Sequence, residues 1–370
     1  MYRYLRLFGN DFSSAGAVSL VGALASLPNV ERIDLDNNAS DDVEIDPTRM
    51  SASTSGNHIG DSGAEALAAA LVAAPIASLR VLNMGGNEIG DRGVAALCTL
   101  VGASQLRQMN LLRNTFSVAA AHELVKATLA RKGVNLCSGL SGIDSESEVA
   151  SLVSAGLGDS DGVLIACSLW SCGPLPMVKE LRLHDNLLGD AAAAAIADAI
   201  SGGSLPGLLT LTLNNNCIGD AGFAALAVHM RPDGALARLE TMGLRQNLLA
   251  DGAMAALASN LGPGSMPALR QLLLGSNVVT DEGLTQLAGA LSTVRALPAL
   301  EVLELQKNQI GDPGAQALAT AIATGALPKL KELYIFHNAL SPQGESAIRS
   351  TGAPALGRVV ATLPKLFSDE

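Results

Sequence analysis

The chain alternates between two hydrophobic patterns, and the segment from Leu300 to Ala323 shows both clearly. Leu303 and Leu305 are separated by one residue, whereas the Ala-rich stretch that follows has apolar residues three and four positions apart. The first pattern is typical of a strand with one buried face, and the second is typical of an amphipathic helix. The segment therefore predicts a strand, a turn and a helix.

This unit recurs along the chain at nearly constant spacing. In the C-terminal half, an asparagine follows each alternating stretch at intervals of 30 or 31 residues, at Asn186, Asn216, Asn247, Asn277, Asn308 and Asn338. A fixed period of this size predicts a solenoid, in which each repeat packs on its neighbours. Because a solenoid grows in one dimension, we expect a single domain over residues 1–370.

The repeats carry the pattern L-x-x-L-x-L-x-x-N, which resembles the leucine-rich-repeat family. Their long helical half, opening with I-G-D-x-G-A, is similar to the ribonuclease-inhibitor subtype, which includes ribonuclease inhibitors, the sensor regions of NOD-like receptors and Ran GTPase-activating proteins. The resemblance implies an α/β leucine-rich-repeat solenoid of about 11 to 12 repeats, with parallel strands on the concave face and helices on the convex face. Since strands stack ~4.8 Å apart and helices need roughly 8 to 10 Å, we expect a horseshoe.

Two polar positions recur in every regular repeat. We interpret the asparagines as structural, because a buried side-chain amide can both donate to and accept from backbone groups of the turn. Asp312 precedes Pro313 and an apolar run, which predicts that Asp312 is the N-cap of its helix. The same prediction applies to the aspartates at the equivalent position, Asp61, Asp91, Asp190, Asp220, Asp251 and Asp281.

The regular spacing is interrupted in three places. We expect residues 39–56 to form an inserted acidic loop, residues 115–177 an irregular segment with one or two divergent strands, one of them within 134–142, and residues 341–370 a last helix and C-terminal cap. A repeat strand begins at Tyr4 without a capping element before it. Because exposed terminal repeats need a cap, we expect a truncated N-terminus or a preceding domain.

Composition narrows the classes of partner and the compartment. The net charge of −11 argues against nucleic acid, whose binding proteins carry a basic face. The longest apolar run, residues 66–77, is too short to span a membrane, so we expect no membrane association. The five cysteines form no C-x-x-C pair, which favours reduced thiols and a cytoplasmic location. We expect a monomer.

The sequence contains none of the short motifs for phosphate binding, zinc binding or a nucleophilic serine. His184 and His337 lie on or beside the concave face but five repeats apart, on the order of 24 Å, so they cannot share a metal or a proton relay. Asp34 and Asp36 project on one face beside Arg32, which indicates a mixed-charge recognition surface. We therefore assign no catalytic, cofactor-binding or metal-binding residue and expect no enzymatic activity.

The outward strand positions predict where a partner binds. Aromatic and arginine side chains anchor many protein interfaces, and Tyr334 and Phe336 share one outward face with Glu332. We hypothesise that these three residues bind a protein partner, with further contacts from Glu304, Arg245, Arg182 and His184.

The sequence thus favours a protein-recognition scaffold, regulatory or sensory in role, that binds its partner on the concave face. Two alternatives remain open. One is a GTPase activator resembling the Ran-directed family, and the other is the sensor fragment of a NOD-like receptor whose NTPase domain lies upstream. Beyond the shared repeat, no stretch matches the Ran-directed family, so none of its functional residues is transferred to this chain.

Overall fold

The computed structural model describes the chain at residues 3–7, 9–10, 12–24, 29–36, 57–131, 134, 147–351 and 358–360. Across these ranges strands and helices alternate in sequence. The predicted α/β class is confirmed. The inserted loop expected at 39–56 lies outside the described residues, as does most of the strand expected within 134–142.

Twelve strands occur in the described ranges, in agreement with the predicted 11 to 12 repeats, and each is three residues long. They are β1 (Tyr4–Arg6), β2 (Arg32–Asp34), β3 (Val81–Asn83), β4 (Gln108–Asn110), β5 (Val149–Ser151), β6 (Glu180–Arg182), β7 (Thr210–Thr212), β8 (Thr241–Gly243), β9 (Gln271–Leu273), β10 (Val302–Glu304), β11 (Glu332–Tyr334) and β12 (Arg358–Val360).

A helix follows each of the first eleven strands. The helices are α1 (Ser14–Leu24), α2 (Gly60–Ala73), α3 (Asp91–Ala103), α4 (Val118–Arg131), α5 (Asp159–Ser171), α6 (Asp190–Ser201), α7 (Asp220–Ala227), α8 (Asp251–Asn260), α9 (Asp281–Val294), α10 (Asp312–Ala323) and α11 (Pro342–Arg349). A 3₁₀ turn, Val228–Met230, extends α7.

The strands form two parallel sheets, each in sequence order. Strands β1 to β4 make one sheet, and β5 to β12 make the other. In the second sheet Leu303 lies opposite Leu272 on β9 and Leu333 on β11, so equivalent residues of successive repeats stand side by side. This register confirms the predicted solenoid of parallel strands within each sheet. The region expected to form a last helix and a C-terminal cap also supplies β12, which pairs with β11.

The chain divides into two compact units. The first unit comprises Met1–Ser141 and Ser154–Pro174, and the second comprises Gly142–Val153 and Leu175–Glu370. The segment expected to be irregular, 115–177, contains α4, β5 and α5 in its described part. Strand β5 begins the second sheet, so the sheet changes within this segment.

The core of each repeat lies between its strand and its helix. The middle residue of each strand from β2 to β11 is buried, as at Leu181, Leu211 and Leu303, which are at most 1 % exposed. Helix α10 buries Leu318 and Ile322 on the facing side. Burial of each such side chain stabilises the fold by roughly 1.5–3 kcal/mol.

The recurrent asparagines connect neighbouring repeats, as predicted. Asn308 Nδ2 donates to the carbonyl oxygens of Leu274 (3.1 Å) and Leu305 (3.0 Å), and its Oδ1 accepts from the amide of Val279 (3.0 Å). The same three bonds recur at Asn216, Asn247, Asn277 and Asn338. Each amide thereby satisfies buried backbone groups of two turns.

The predicted N-cap role of the aspartates is wrong. Asp281 is the first residue of α9, and its Oδ1 accepts from the amides of Gly311 (2.7 Å) and Gly314 (2.8 Å), which begin the next helix. Six aspartates at this position bond in the same way to the following repeat: Asp61, Asp91, Asp190, Asp220, Asp251 and Asp312. We call these seven residues the aspartate ladder. Each carboxylate caps the helix after its own.

The ladder explains the second glycine of the I-G-D-x-G stretch. Asp190 Oδ1 lies against the amides of both Gly219 and Gly222. A Cβ atom on Gly222 would stand 2.6 Å from this oxygen, closer than carbon and oxygen can approach. The close approach of the preceding aspartate therefore requires glycine at this position.

Candidate functional site: the strand face of the second unit

The outward side of β6 to β11, away from the helices, is an open surface that we call the strand face. The parallel register arranges its side chains in columns. One column contains Arg182, Thr212, Gly243, Leu273, Glu304 and Tyr334, and the next contains the residues two positions later. This surface corresponds to the concave face predicted from the sequence.

An ion pair crosses the middle of the strand face. Arg245 Nε donates to Glu304 Oε2 and Arg245 Nη2 to Glu304 Oε1, both at 2.5 Å. Arg245 follows β8 and Glu304 belongs to β10, so the arginine reaches over β9. Glu304 is only 7 % exposed, and its Oε2 also accepts from Gln306 Nε2 at 2.9 Å. The fork-shaped contact fixes the orientation of both groups.

Glycines on the strand face leave room for neighbouring polar side chains. Gly243 and Gly275 occupy outward positions of the repeats that carry β8 and β9, where a side chain would otherwise stand. A Cβ on Gly275 would lie 2.5 Å from Gln306 Nε2. Leu273 occupies an outward strand position but is only 7 % exposed. The alternating pattern did not predict these tight contacts, although glycine at outward positions of two successive repeats was a visible signal.

The predicted aromatic anchors lie at the C-terminal end of the same face. Tyr334 is opposite Glu304 in the strand register, and its hydroxyl donates to Glu332 Oε2 at 2.5 Å. Phe336 contacts the ring of His337 edge to face, with ring centroids 5.2 Å apart. Both aromatic side chains are half-buried. The structure therefore brings Glu304, Arg245, Glu332 and the two aromatic residues onto one continuous area.

The other two predicted contacts lie apart from this area. Arg182 pairs with Glu180 on its own strand (2.5 Å), and His184 Nδ1 is 3.1 Å from Thr212 Oγ1. Strand β6 is four strand spacings from β10, or about 19 Å. Arg182 and His184 could therefore contact only a partner that extends along several repeats.

The first unit presents a different strand face. Arg32 Nε donates to both carboxylate oxygens of Asp34, at 2.7 and 2.9 Å. Asp36 Oδ2 accepts from Asn83 Nδ2 at 3.0 Å, and Asn83 Oδ1 accepts from Asn110 Nδ2 at 3.0 Å. Asp34 and Asp36 are buried rather than open to solvent as the alternation suggests. They belong to a polar network and not to an exposed pair of carboxylates.

Charges of alternating sign precede the strands of the second unit. Glu301 contacts Lys331 (2.7 Å) and Arg270 (3.1 Å), and Glu148 contacts Lys179 (2.5 Å). The hydrogen bond from Lys331, followed by the charges of the nearby cations, lowers the pKa of Glu301. Exposed pairs of this kind contribute little to stability.

The structure offers no assembled catalytic chemistry in the residues it describes. No group of three or more metal-ligating side chains occurs among them. Their four cysteines, Cys98, Cys167, Cys172 and Cys217, are free thiols. Burial raises the pKa of Cys98 and Cys167, and partial desolvation of the thiol raises that of Cys172, whose side chain is otherwise exposed. A raised pKa disfavours the nucleophilic thiolate. None of the described helices is both long and apolar enough to cross a membrane.

One buried carboxyl group titrates unusually. Burial raises the pKa of Asp161 to about 6, although the amides of Gly158 (2.9 Å) and Arg113 (2.8 Å) donate to it and favour its charged form. Helix α4 begins at Val118 and so lacks an aspartate at the ladder position. Asp161 supplies the missing acceptor to Gly158 from within α5. Its role is structural.

A match to a protein-family model agrees with this architecture. The family model described as Leucine Rich repeat matches residues 55–68, 77–98, 207–227 and 297–319. These segments carry leucine-rich repeats, and with the parallel sheets they define an α/β leucine-rich-repeat solenoid. A search of curated proteins finds no match. Among solved structures, the chain is similar to an internalin from Listeria monocytogenes, with 19 % identity, a TM-score of 0.35, and coverage of 92 % of this chain and 83 % of that chain.

Proposed function

We propose that this protein is a recognition scaffold that binds a partner protein on the strand face of its second unit. The ion pair between Arg245 and Glu304 supports this proposal most directly, because it holds two charged side chains in place across β9 in the free protein. Side chains that are already ordered lose less conformational entropy when a partner binds.

The aromatic residues next to the ion pair supply the apolar part of the proposed interface. Tyr334 and Phe336 are half-buried, so each keeps a ring surface for a partner while its position is fixed by Glu332 or His337. Aromatic anchors contribute ~2 kcal/mol or more when a partner fully desolvates them. In this proposal Arg245 and Glu304 form the polar border, and Arg182 and His184 are outlying contacts.

We further propose that the protein has no catalytic activity of its own, acts in a regulatory or sensory role, binds no nucleic acid and is monomeric and cytoplasmic. The open strand face without a nucleophile, and the net charge of −11, support these proposals. The helices of 8 to 14 residues between short strands also support the ribonuclease-inhibitor-like subtype.

The Tyr334→Ala, Phe336→Ala double variant tests the binding surface. Partners are captured from the soluble fraction of source cells with the wild type and with the variant, and the affinity of each protein lost from the variant is then measured by titration. We expect affinity to fall at least about tenfold, because two anchors are removed. Tyr4→Ala, which removes an exposed aromatic residue from the first unit, is the matched control.

Thermal unfolding of each variant distinguishes binding from capping. A lower melting temperature with unchanged affinity would assign Tyr334 and Phe336 to the structure of the last repeats, and the proposed surface would be wrong.

The alternative of a GTPase activator is tested separately, by GTP hydrolysis of small GTPases with and without the chain. Stimulated hydrolysis would replace the scaffold proposal.

A further inference from the structure

Exposed apolar side chains occupy one position in four consecutive repeats of the second unit. This position directly follows the recurrent asparagine. Leu187 is 64 % exposed, Leu248 58 % and Val278 40 %, and Cys217 is also exposed. We call these four residues the apolar ridge. The strand alternation did not single them out, because they lie in the turns.

Backbone hydrogen bonds hold the ridge residues in line. The amide of Cys217 donates to the carbonyl of Leu188 at 2.8 Å, the amide of Leu248 donates to that of Ile218 at 2.8 Å, and Val278 repeats the pattern. Successive ridge residues thus stand on bonded neighbouring turns ~4.8 Å apart, so the ridge is on the order of 14 Å long.

The fold does not require apolar residues at this position. The first unit has Glu88 and Thr115 there, both exposed, and the repeat after Val278 has Gln309. Thr115 and Gln309 make the same backbone bond as the ridge residues. Residues with polar side chains thus make the same backbone bond at this position, so the fold does not explain the apolar ones. A contiguous row of exposed apolar side chains indicates an interaction surface.

At the two sequence positions that flank the ridge residues, every charged side chain is negative. On the strand side, the positions two residues before the ridge residues are Asp185, Asn215, Gln246 and Ser276. On the helix side, the positions three residues after them are the ladder aspartates Asp190, Asp220, Asp251 and Asp281. Lys307 appears at the strand-side position only in the next repeat, beside Gln309. An apolar row bordered by carboxylates complements a partner that is apolar in the middle and basic at its edges.

The spacing of the ridge selects the conformation of that partner. Apolar residues on one face of an α-helix recur on average every 3.5 residues, or about every 5.3 Å along the axis. Same-face residues of an extended strand recur about every 6.7 Å. Over the three intervals of the ridge, same-face residues of a helix would deviate from the ridge spacing by about 1.5 Å in total, and those of a strand by about 6 Å. The helix therefore fits the ridge better.

We propose that the apolar ridge docks a basic amphipathic helix of a partner protein. The leucine-type side chains of the helix pack between Leu187, Cys217, Leu248 and Val278, and its lysine or arginine side chains reach Asp185 and the aspartate ladder. This surface is separate from the strand face, and the proposal goes beyond the recognition function proposed for that face.

A synthetic peptide tests the proposal on the full chain. The probe is a fluorescent peptide of about 18 residues composed of leucine and lysine, with leucines at helical spacing, which spans about 27 Å as a helix. We expect saturable binding that weakens as salt is added, because the border contacts are ionic. We expect the Leu187→Ser, Leu248→Ser double variant to bind about tenfold more weakly, since it loses two apolar anchors.

Matched controls separate docking from general attraction to an acidic protein. Leu129→Ser removes an exposed leucine from α4 of the first unit and should leave affinity unchanged. The Tyr334→Ala, Phe336→Ala variant alters the strand face but leaves the ridge intact, so it should bind the peptide with unchanged affinity. Failure of the strand-face proposal and failure of the ridge proposal can therefore be distinguished. A scrambled peptide of the same composition and a leucine–glutamate helix should both bind at least about tenfold more weakly.

The cysteines provide a second measurement that needs no variant. Cys217 lies within the ridge and Cys172 lies in the first unit, and both are exposed. We expect saturating peptide to slow alkylation of Cys217 and leave that of Cys172 unchanged. Equal protection of both thiols, equal affinity of the Leu187→Ser, Leu248→Ser variant, or equal affinity of the scrambled peptide would each overturn the proposal.

Discussion

At the scale of single residues, two polar side chains in each regular repeat satisfy the backbone of a neighbour. Asn308 bonds to three backbone groups of its own and the preceding turn. Asp281 bonds forward to the first turn of α10. The two side chains therefore join successive repeats in opposite directions, and neither role is confined to its own repeat.

The aspartate ladder predicts a loss of stability that a local N-cap would not. Asp281→Ala is expected to lower the free energy of unfolding of the second unit by ~1–2 kcal/mol, because the amides of Gly311 and Gly314 both lose their acceptor. Urea titration followed by far-UV circular dichroism measures the change. Asp198→Ala, on the exposed side of α6, is the control and should change stability by less than ~0.5 kcal/mol.

Hydrogen exchange identifies which helix responds to Asp281→Ala. If the ladder assignment is correct, exchange accelerates at the amides of Gly311 and Gly314, at the start of α10. Faster exchange confined to the first turn of α9 would contradict it and restore the N-cap interpretation.

At the scale of elements, the aspartate ladder caps seven of the described helices from the repeat before, and α5 shows what happens when that cap is absent. Helix α4 has Val118 where the ladder would place an aspartate, so α5 is capped by its own Asp161. The second oxygen of Asp161 accepts from the amide of Arg113. Placing this acceptor within α5 buries a carboxylate, and burial raises its pKa to about 6.

Asp161 therefore makes the stability of the first unit depend on pH. Its ordinary pKa is 3.8, and in the folded chain it is about 6. Between these pH values the folded state holds a proton that the unfolded state has lost, so stability from this group is greatest below pH ~4 and falls as pH rises towards ~6, by about 3 kcal/mol. Unfolding by urea at several pH values measures this slope.

The Asp161→Asn variant isolates the contribution of this one group. The variant loses one of the two amide bonds, and it lacks the titration. We expect the stability of the wild type relative to the variant to decrease from pH 4 to pH 7. A difference that is constant, or that increases with pH, would show that Asp161 is ionised at much lower pH than its burial suggests.

At the scale of the whole molecule, the two sheets and two compact units divide the chain into separate sets of cooperative contacts. In repeat proteins the free energy of unfolding is approximately the sum of the stabilities of the single repeats and of the interfaces between adjacent repeats. An interruption of the sheet therefore weakens the cooperativity between the repeats on its two sides. We therefore expect the units to unfold in two steps. Trp170 is the single tryptophan and lies on α5 in the first unit, so its fluorescence reports on that unit.

Fluorescence and far-UV circular dichroism recorded on the same urea titration test this expectation. The dichroism curve includes the helices of the second unit, α6 to α11, so its transition should not coincide with that of Trp170 fluorescence. Coincident curves with one midpoint would indicate a single cooperative unit, as the sequence predicts for residues 1–370.

The sequence alone determined the repeat, the identity of most strands and the structural role of the asparagines. Leu303 and Asn308 were assignable because a strand alternates with period two, a helix recurs with period 3.6, and a turn buried between repeats must satisfy its backbone. These requirements are local or strictly periodic, so the same residue pattern recurs in each repeat. Interruptions such as Val118 weakened the signal over 115–177, where only part of the architecture was predictable.

The tertiary structure decided which partner each polar or exposed side chain meets. Asp281 could cap its own helix or the next, and only the stacking of α9 and α10 places it on the amides of Gly311 and Gly314. Arg245 and Glu304 are 59 residues apart and meet because the parallel register places their strands on either side of β9. Such contacts depend on distances between side chains of different repeats. A periodic sequence determines the strand, turn and helix within each repeat, but it does not determine those distances.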